Sequence, residues 1–184
     1  PVVYNDSLYI GADHGIFYQY NATNISQGWL TSHAGVGGDI ISTAAIDGEY
    51  VYFANLVGSS QKVYKVNASN VSQTEKTSDQ GGHFYGGPII KDGFVFIGKE
   101  SGGILYKYNA TTLGTEVGTF DGDNSIRDTP AAGPKFVYYQ SDDGYTYQIN
   151  ASDMTEYASN DFQSTNQQFY SSPLVTADYV FIAD

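Results

Sequence analysis

Short alternating runs dominate the chain, and they recur. Leu8 to Gly11, Tyr50 to Ala54, Phe94 to Gly98 and Phe136 to Tyr139 carry apolar and aromatic residues in the pattern of a pleated strand with one or both faces buried. Each follows a small apolar piece such as Val2 to Val3 or Ile89 to Ile90. Each also precedes a turn, Asp13-His14-Gly15, Ser101-Gly102-Gly103 or Asp142-Asp143-Gly144, where Gly or Asp supplies the positive φ of a tight hairpin. A third, aromatic strand follows (Ile16 to Tyr20, Val63 to Val66, Ile104 to Tyr108, Tyr145 to Ile149) and ends at an Asn-Ala turn. A weaker fourth strand, around Trp29 to Ser32 or Glu116 to Phe120, leads through a polar loop to the next unit. No stretch sustains a 3.6-residue period over ten residues, so helix content near zero is predicted.

The units are in register. Asn21, Asn67, Asn109 and Asn150, which close YQYNA, YKVNA, YKYNA and YQINA, lie 46, 42 and 41 residues apart. Pro1, Ala44, Pro88, Pro130 and Pro173 open successive units at spacings of 43, 44, 42 and 43. The 184 residues therefore divide into repeats 1–43, 44–87, 88–129 and 130–172, with 173–184 beginning a fifth. A four-stranded unit of this length cannot bury both faces alone, and tandem repetition is the signature of a β-propeller. The expected fold is all-β: a propeller of four-stranded antiparallel blades, about four plus the start of a fifth. A solenoid is the alternative architecture, but its coils are usually shorter and lack these hairpins. The arithmetic reads as an incomplete propeller.

The repeat form, Pro, two apolar residues, strand, Gly turn, then Tyr-x-aliphatic/Tyr-Asn-Ala, resembles the PQQ-like (quinoprotein-type) β-propeller repeat. The strings that carry the resemblance are YQYNATNISQGW, YKVNASNVSQTE, YKYNATTLGTEV and YQINASDMTEYA. Asn stands where that family usually has Asp, and Trp29 alone represents the four tryptophans that the family pattern would supply. The resemblance implies a propeller and, in enzymatic members, a quinone cofactor with calcium and a catalytic Asp. A chain with no cysteine and one tryptophan lacks the vicinal disulfide and stacking floor of those enzymes, so a non-enzymatic member without PQQ is expected. The rival is a catalytic propeller, quinone-dependent or carbohydrate-active.

Charge narrows the partners. Eight basic against twenty acidic residues give a net charge of −12, Arg127 is the single arginine, and the lysines are scattered. Nucleic acid and anionic membranes are poor partners for such a surface. No apolar run approaches the ~18 residues of a membrane span, so no membrane insertion is expected. The chain opens at Pro1 without a leader, so any targeting segment is expected to be removed or to lie outside this stretch.

Four constellations could carry chemistry. Asp121, Asp123 and Asp128, with Ser125, space oxygen ligands as a calcium loop does, but no Glu follows at the twelfth position and a solvated acidic loop reads the same. Asp142 and Asp143 are an adjacent acid pair, which on a strand would face opposite ways. Asp39, His83, Ser125 and Gln168, and two residues on Ile41, Tyr85, Arg127 and Tyr170, stand at matching positions in the loop entering each innermost strand, where a propeller presents its channel. There Arg127 suits an anionic ligand or an ion pair with Asp128 or another carboxylate. His14, His33 and His83 occupy three different repeat positions, which argues against a shared metal.

Asn-x-Ser/Thr triplets are abundant. Eleven asparagines give roughly two by chance, yet seven are present, at Asn5, Asn21, Asn24, Asn67, Asn70, Asn109 and Asn150. N-glycosylation or turn formation would each use them. With the acidic surface they point to an extracellular or cell-surface scaffold, of archaeal type, that contacts protein or glycan through exposed tyrosines. Open blade edges add self-association into a ring or filament.

Overall fold

The computed structural model describes residues 1–33, 36–56, 61–78, 82–161 and 169–183. Four antiparallel sheets follow one another, each with its strands in chain order. Blade one is β1 (Val2–Tyr4), β2 (Ser7–Ala12), β3 (Ile16–Asn21) and β4 (Trp29–His33). Blade two is β5 (Ala45–Asp47), β6 (Tyr50–Ala54), β7 (Val63–Asn67) and β8 (Asn70–Thr77). Blade three is β9 (Ile89–Lys91), β10 (Phe94–Gly98), β11 (Ile104–Asn109) and β12 (Glu116–Asp121). Blade four is β13 (Ala131–Ala132), β14 (Phe136–Gln140), β15 (Tyr145–Asn150) and β16 (Glu156–Asp161), and a two-stranded unit follows as β17 (Leu174–Val175) and β18 (Val180–Phe181). Each four-stranded sheet falls within one sequence repeat. The helical content among the described residues is one 3-10 turn, Ile25–Gln27, capped by the Asn24 side chain.

Three apolar cores lie between blades rather than within them. The first joins Tyr9 and Phe17 to Val51, Phe53 and Val66; the second joins Tyr52 and Val63 to Val95 and Tyr108; the third joins Phe96 and Leu105 to Val137 and Ile149. Alternation makes this possible, because each central strand has two apolar faces, one for each neighbour. The loop entering the next blade caps each core with one buried residue: Ile40, Phe84 or Ile126. Small residues receive these caps. A Cβ on Gly11 would stand 2.2 Å from the Ile40 side chain, and one on Gly98 would stand 2.2 Å from that of Ile126.

A polar contact repeats beside each core. Tyr9 and Gln19, directly opposed across β2 and β3, donate to the carbonyl of Ala68 at 2.6 and 3.0 Å. Tyr52 and Lys65, opposed in blade two, donate to the carbonyl of Ala110 at 2.8 and 3.0 Å, and Lys65 also reaches that of Thr111. In blade three Phe96 has no hydroxyl, and its partner Lys107 alone donates to the carbonyls of Ala151 and Ser152, at 2.7 and 2.8 Å. The acceptor in every case is the Asn-Ala turn of the following blade. Both buried ammonium groups also sit over rings, Lys65 3.9 Å from the centroid of Tyr50 and Lys107 4.2 Å from that of Phe94. Burial lowers both lysine pKa values, and nearby acids (Glu75 and Asp47 for Lys65, Asp153 for Lys107) oppose the shift.

Replacing Lys107 with Ala removes a charged donor from two carbonyls, and the expected loss is about 2 kcal/mol. Lys107→Gln, which installs the residue found at the same position in blade one, should restore at least half of it. Urea denaturation of the two variants beside the wild type measures both effects.

Candidate binding site at the channel rim

The loops that enter the first strands are held by one repeated backbone bond. Leu56 N donates to Asp39 O, Glu100 N to His83 O, and Asp142 N to Ser125 O, at 2.8, 2.8 and 3.0 Å. The inner ends are tied sideways as well: Gly87 N donates to Thr129 Oγ1 and Thr129 N to Ser172 Oγ. Gly86 and Gly87 permit this approach, since a Cβ on either would meet the backbone oxygen of Asp128 or Thr43 at 1.7 or 2.2 Å.

This frame brings together three of the predicted rim residues at one repeat position. The Arg127 guanidinium lies 5.2 Å from the Tyr85 ring centroid and 5.9 Å from that of Tyr170, between tyrosines of the flanking loops. Its Nη1 contacts Glu100 Oε1 and its Nε donates to Asp142 Oδ2, both at 2.8 Å. His83 Nδ1 joins the cluster through Glu100 Oε2 at 3.1 Å. Burial pulls the Arg127 pKa down, but the bond to Asp142 and the charges of Asp142 and Glu100 outweigh it, and the guanidinium is held above its ordinary value.

Of the two uses open to Arg127 from sequence, the ion pair is the arrangement present, with Glu100 and Asp142 as partners rather than Asp128. Glu100 escaped notice in the sequence although the signal was there: Glu100 and Asp142 each stand twelve residues after the proline that opens their repeat. Asp39 belongs to a separate network, where its carboxylate accepts from His14 N at 3.1 Å. Ile41 is exposed at the rim position of its own loop. Gln168 lies outside the described residues.

The remaining acidic candidates disperse. Asp121 Oδ1 accepts from Asp123 N in an exposed turn, whereas Asp128 is fully buried and accepts from Gln140 N at 2.8 Å. Among the described residues no three His, Asp or Glu side chains group as a metal set. Asp143 accepts from Tyr145 N and from the Tyr147 hydroxyl, so the adjacent acids Asp142 and Asp143 serve different partners. His33 is buried against Thr74, and that burial lowers its pKa.

Six of the seven sequons are Asx turns. The side-chain oxygens of Asn21, Asn24, Asn67 and Asn150 accept both the backbone N–H and the hydroxyl of the Ser or Thr two residues on. Asn70 and Asn109 accept the backbone N–H. The amide nitrogen, the atom a glycan would occupy, takes no part in these bonds. Asn5, Asn24 and Asn70 are exposed, while Asn21, Asn67, Asn109 and Asn150 are half-buried next to the blade contacts.

No protein-family model matches this chain, and no curated protein matches it. Solved structures do. BamB from Moraxella catarrhalis aligns over 99% of this chain and 53% of its own, with a TM-score of 0.74 and 14% identity. The computationally designed Ika8 protein aligns over 97% of this chain and 52% of its own, at 0.78 and 15%. A chain of the mitotic checkpoint complex aligns over 87% of this chain and 49% of its own, at 0.73 and 13%. The chain is a β-propeller, with about four blades and part of another. It spans about half the length of the solved chains it matches.

Two measurements test the rim chemistry. Arg127→Met leaves Glu100 and Asp142 facing each other without a cation, and roughly 3 kcal/mol of stability should be lost. Adding Glu100→Gln and Asp142→Asn to that variant should recover most of the loss. For Asp128, burial raises the carboxyl pKa well above its ordinary value, the Gln140 backbone bond opposes that, and the Asp142 charge adds to it. Above the ordinary carboxyl pKa of about 4, the native state therefore keeps a proton that the unfolded chain has released. Stability then falls as pH rises through that window. Thermal melts from pH 4 upward should show a shallower decline for Asp128→Asn than for the wild type.

Proposed function

We propose that this propeller is a non-catalytic scaffold that binds protein or glycan partners at an extracellular or cell-surface location. The observation that carries the reading is the channel rim. Its only guanidinium is neutralised by two carboxylates and flanked by Tyr85 and Tyr170, with Ile41 and Tyr170 exposed. Large aromatic side chains around a half-buried Arg are the composition of a protein-binding hot spot. A carboxylate already engaged by Arg127, or by two donors as Asp143 is, has little freedom to act as acid or base. The chains of BamB and of the mitotic checkpoint complex share this architecture and lean the same way. The sequons and acidic surface support the location, which for an archaeal cell would be its outer coat. Self-association through open blade edges completes the reading, since an edge strand offers its backbone groups to another polypeptide.

Three experiments test the parts separately. Addition of the quinone with calcium should change neither the absorbance nor the melting temperature; a spectral change or a thermal shift of several degrees would sink the non-catalytic reading. Chain purified from an N-glycosylating host should lose glycan mass on enzymatic deglycosylation, with Asn5, Asn24 and Asn70 occupied first. No added mass removes the surface-glycoprotein reading. Solution size decides self-assembly, since a 20 kDa monomer at all concentrations excludes it.

A further inference from the structure

Lysines that are scattered along the sequence are gathered in space. Lys91, Lys107 and Lys135, three of the chain's seven, line one cleft of about 670 Å³ between blades three and four. Phe94, Phe96, Phe136 and Tyr157 supply its apolar walls, and its volume lies within the range of small-ligand sites, about 300–1,000 Å³. Asp92 is the one acid that lines it. In a chain of net charge −12, three ammonium groups less one carboxylate give this cleft +2.

The equivalent cleft between blades one and two shows how far this one departs from its repeat. There the volume is about 450 Å³, and Tyr4, Gln19 and Glu49 stand where blades three and four have Lys91, Lys107 and Lys135. The correspondence is structural: the carbonyls of Glu49 and Lys135 accept from Ala68 N and Ala151 N in turn, and Gln19 and Lys107 oppose Tyr9 and Phe96. Phe94 and Phe96 stand in place of Ser7 and Tyr9, so the floor has one more ring and lacks a hydroxyl.

Several donors remain unspent. Lys91 is paired, with Asp92 Oδ2 at 2.8 Å and the Pro134 carbonyl at 2.9 Å. Lys107 is buried over the Phe94 ring and uses two of its three donors on the Ala151 and Ser152 carbonyls. Asp153, the acid whose charge reaches Lys107, is held by Thr155. Lys135 is exposed and enters none of the ion pairs among the described residues. Asn150 Nδ2 is free as well, since the side-chain oxygen alone closes the Asx turn. Beside these donors Phe136 and Tyr157 form an aromatic corner, with centroids 4.7 Å apart and planes 42° apart. Backbone offers little, because the carbonyls of Pro134, Lys135, Ala151 and Ser152 already hold donors of the chain itself.

We propose that this cleft binds an acidic saccharide, its ring laid on Phe136 and Tyr157 and its carboxylate against Lys135 and Lys107. The C–H face of a pyranose meets the negative faces of the aromatic rings. Its carboxylate meets the net positive charge, and its hydroxyls meet Asn150 Nδ2. An extended peptide lacks the backbone partners it would need here, and a flat aromatic acid leaves the amide donor unused. The inference rests on the glycan part of the scaffold reading and gives it a ligand class, in a cleft lined by none of the Arg127 rim residues.

The probe is trigalacturonate, titrated by calorimetry into chain from a host that adds no glycans, so that Asn150 is bare. One trisaccharide per chain should bind. Lys135→Met and Tyr157→Ala, both at exposed positions, should each weaken binding by roughly tenfold or more with the circular dichroism unchanged, and methyl esterification of the trisaccharide should do the same. Absence of saturable binding, equal affinity for the ester, or no effect of Lys135→Met overturns the site. Benzoate bound as tightly as the trisaccharide assigns the cleft to flat aromatic acids and overturns the saccharide. Tyr170→Ala at the rim should leave the affinity unchanged. Cleavage of the bound trisaccharide would overturn the non-catalytic reading and leave the site standing, whereas absence of binding with no response to the quinone would do the reverse, so the two failures are distinguishable.

Discussion

A blade of this chain cannot satisfy its own surface, and everything else follows from that. Four short strands make a sheet with two apolar faces, so stability requires a neighbour on each side. The neighbour must also be held at a fixed angle, and apolar contact is not directional. The donors Tyr9, Gln19, Tyr52, Lys65 and Lys107 supply the direction, since each must find the carbonyl of the next Asn-Ala turn. A buried ammonium without its acceptors is costly, so only one arrangement of adjacent blades is acceptable. The Asn at the turn serves the same end, because its side chain closes the turn and leaves the following carbonyl pointing outward to be used.

Much of this was legible in the chain itself. Strand positions, hairpin turns and the propeller class follow from period-2 alternation and a 43-residue recurrence, both local and both repeated, so errors in one unit are corrected by the others. What alternation could not show is which alternating residue does chemistry. Lys65 and Lys107 look like the solvent-facing members of aromatic strands, yet they are buried, because the next blade covers them and supplies acceptors. The same holds for Glu100. Its role depends on Arg127, 27 positions away in sequence, and only the stacking of successive loops brings the two within 2.8 Å.

The rim was partly legible for a related reason. Repeat alignment placed Tyr85, Arg127 and Tyr170 at one position, and the structure stacks them. Alignment also grouped Asp39 with His83, and these differ: His83 meets Glu100, whereas the residue matching Glu100 in blade two is Leu56, so Asp39 turns to His14 instead. A repeat position fixes where a backbone goes, and the residue opposite decides what the side chain does there. The sequons illustrate the limit from the other side, since one triplet satisfies both a turn and a glycosylation acceptor, and geometry separates them only by exposure.

The blade that breaks the pattern is the informative one. Had blade four kept a glycine or alanine opposite a large apolar residue, its outer face would be one more inter-blade core. Gln140 and Thr146 replace that apolar pair with buried polar groups, which destabilise a dry interface unless something brings them partners. The other three blades carry glycine or alanine opposite Phe17, Val63 or Leu105 at this position. The Gln140 side chain instead accepts from the Ser171 hydroxyl, so this polar pair ties blade four to the segment that follows it by a directed bond where the first three blades use apolar contact alone.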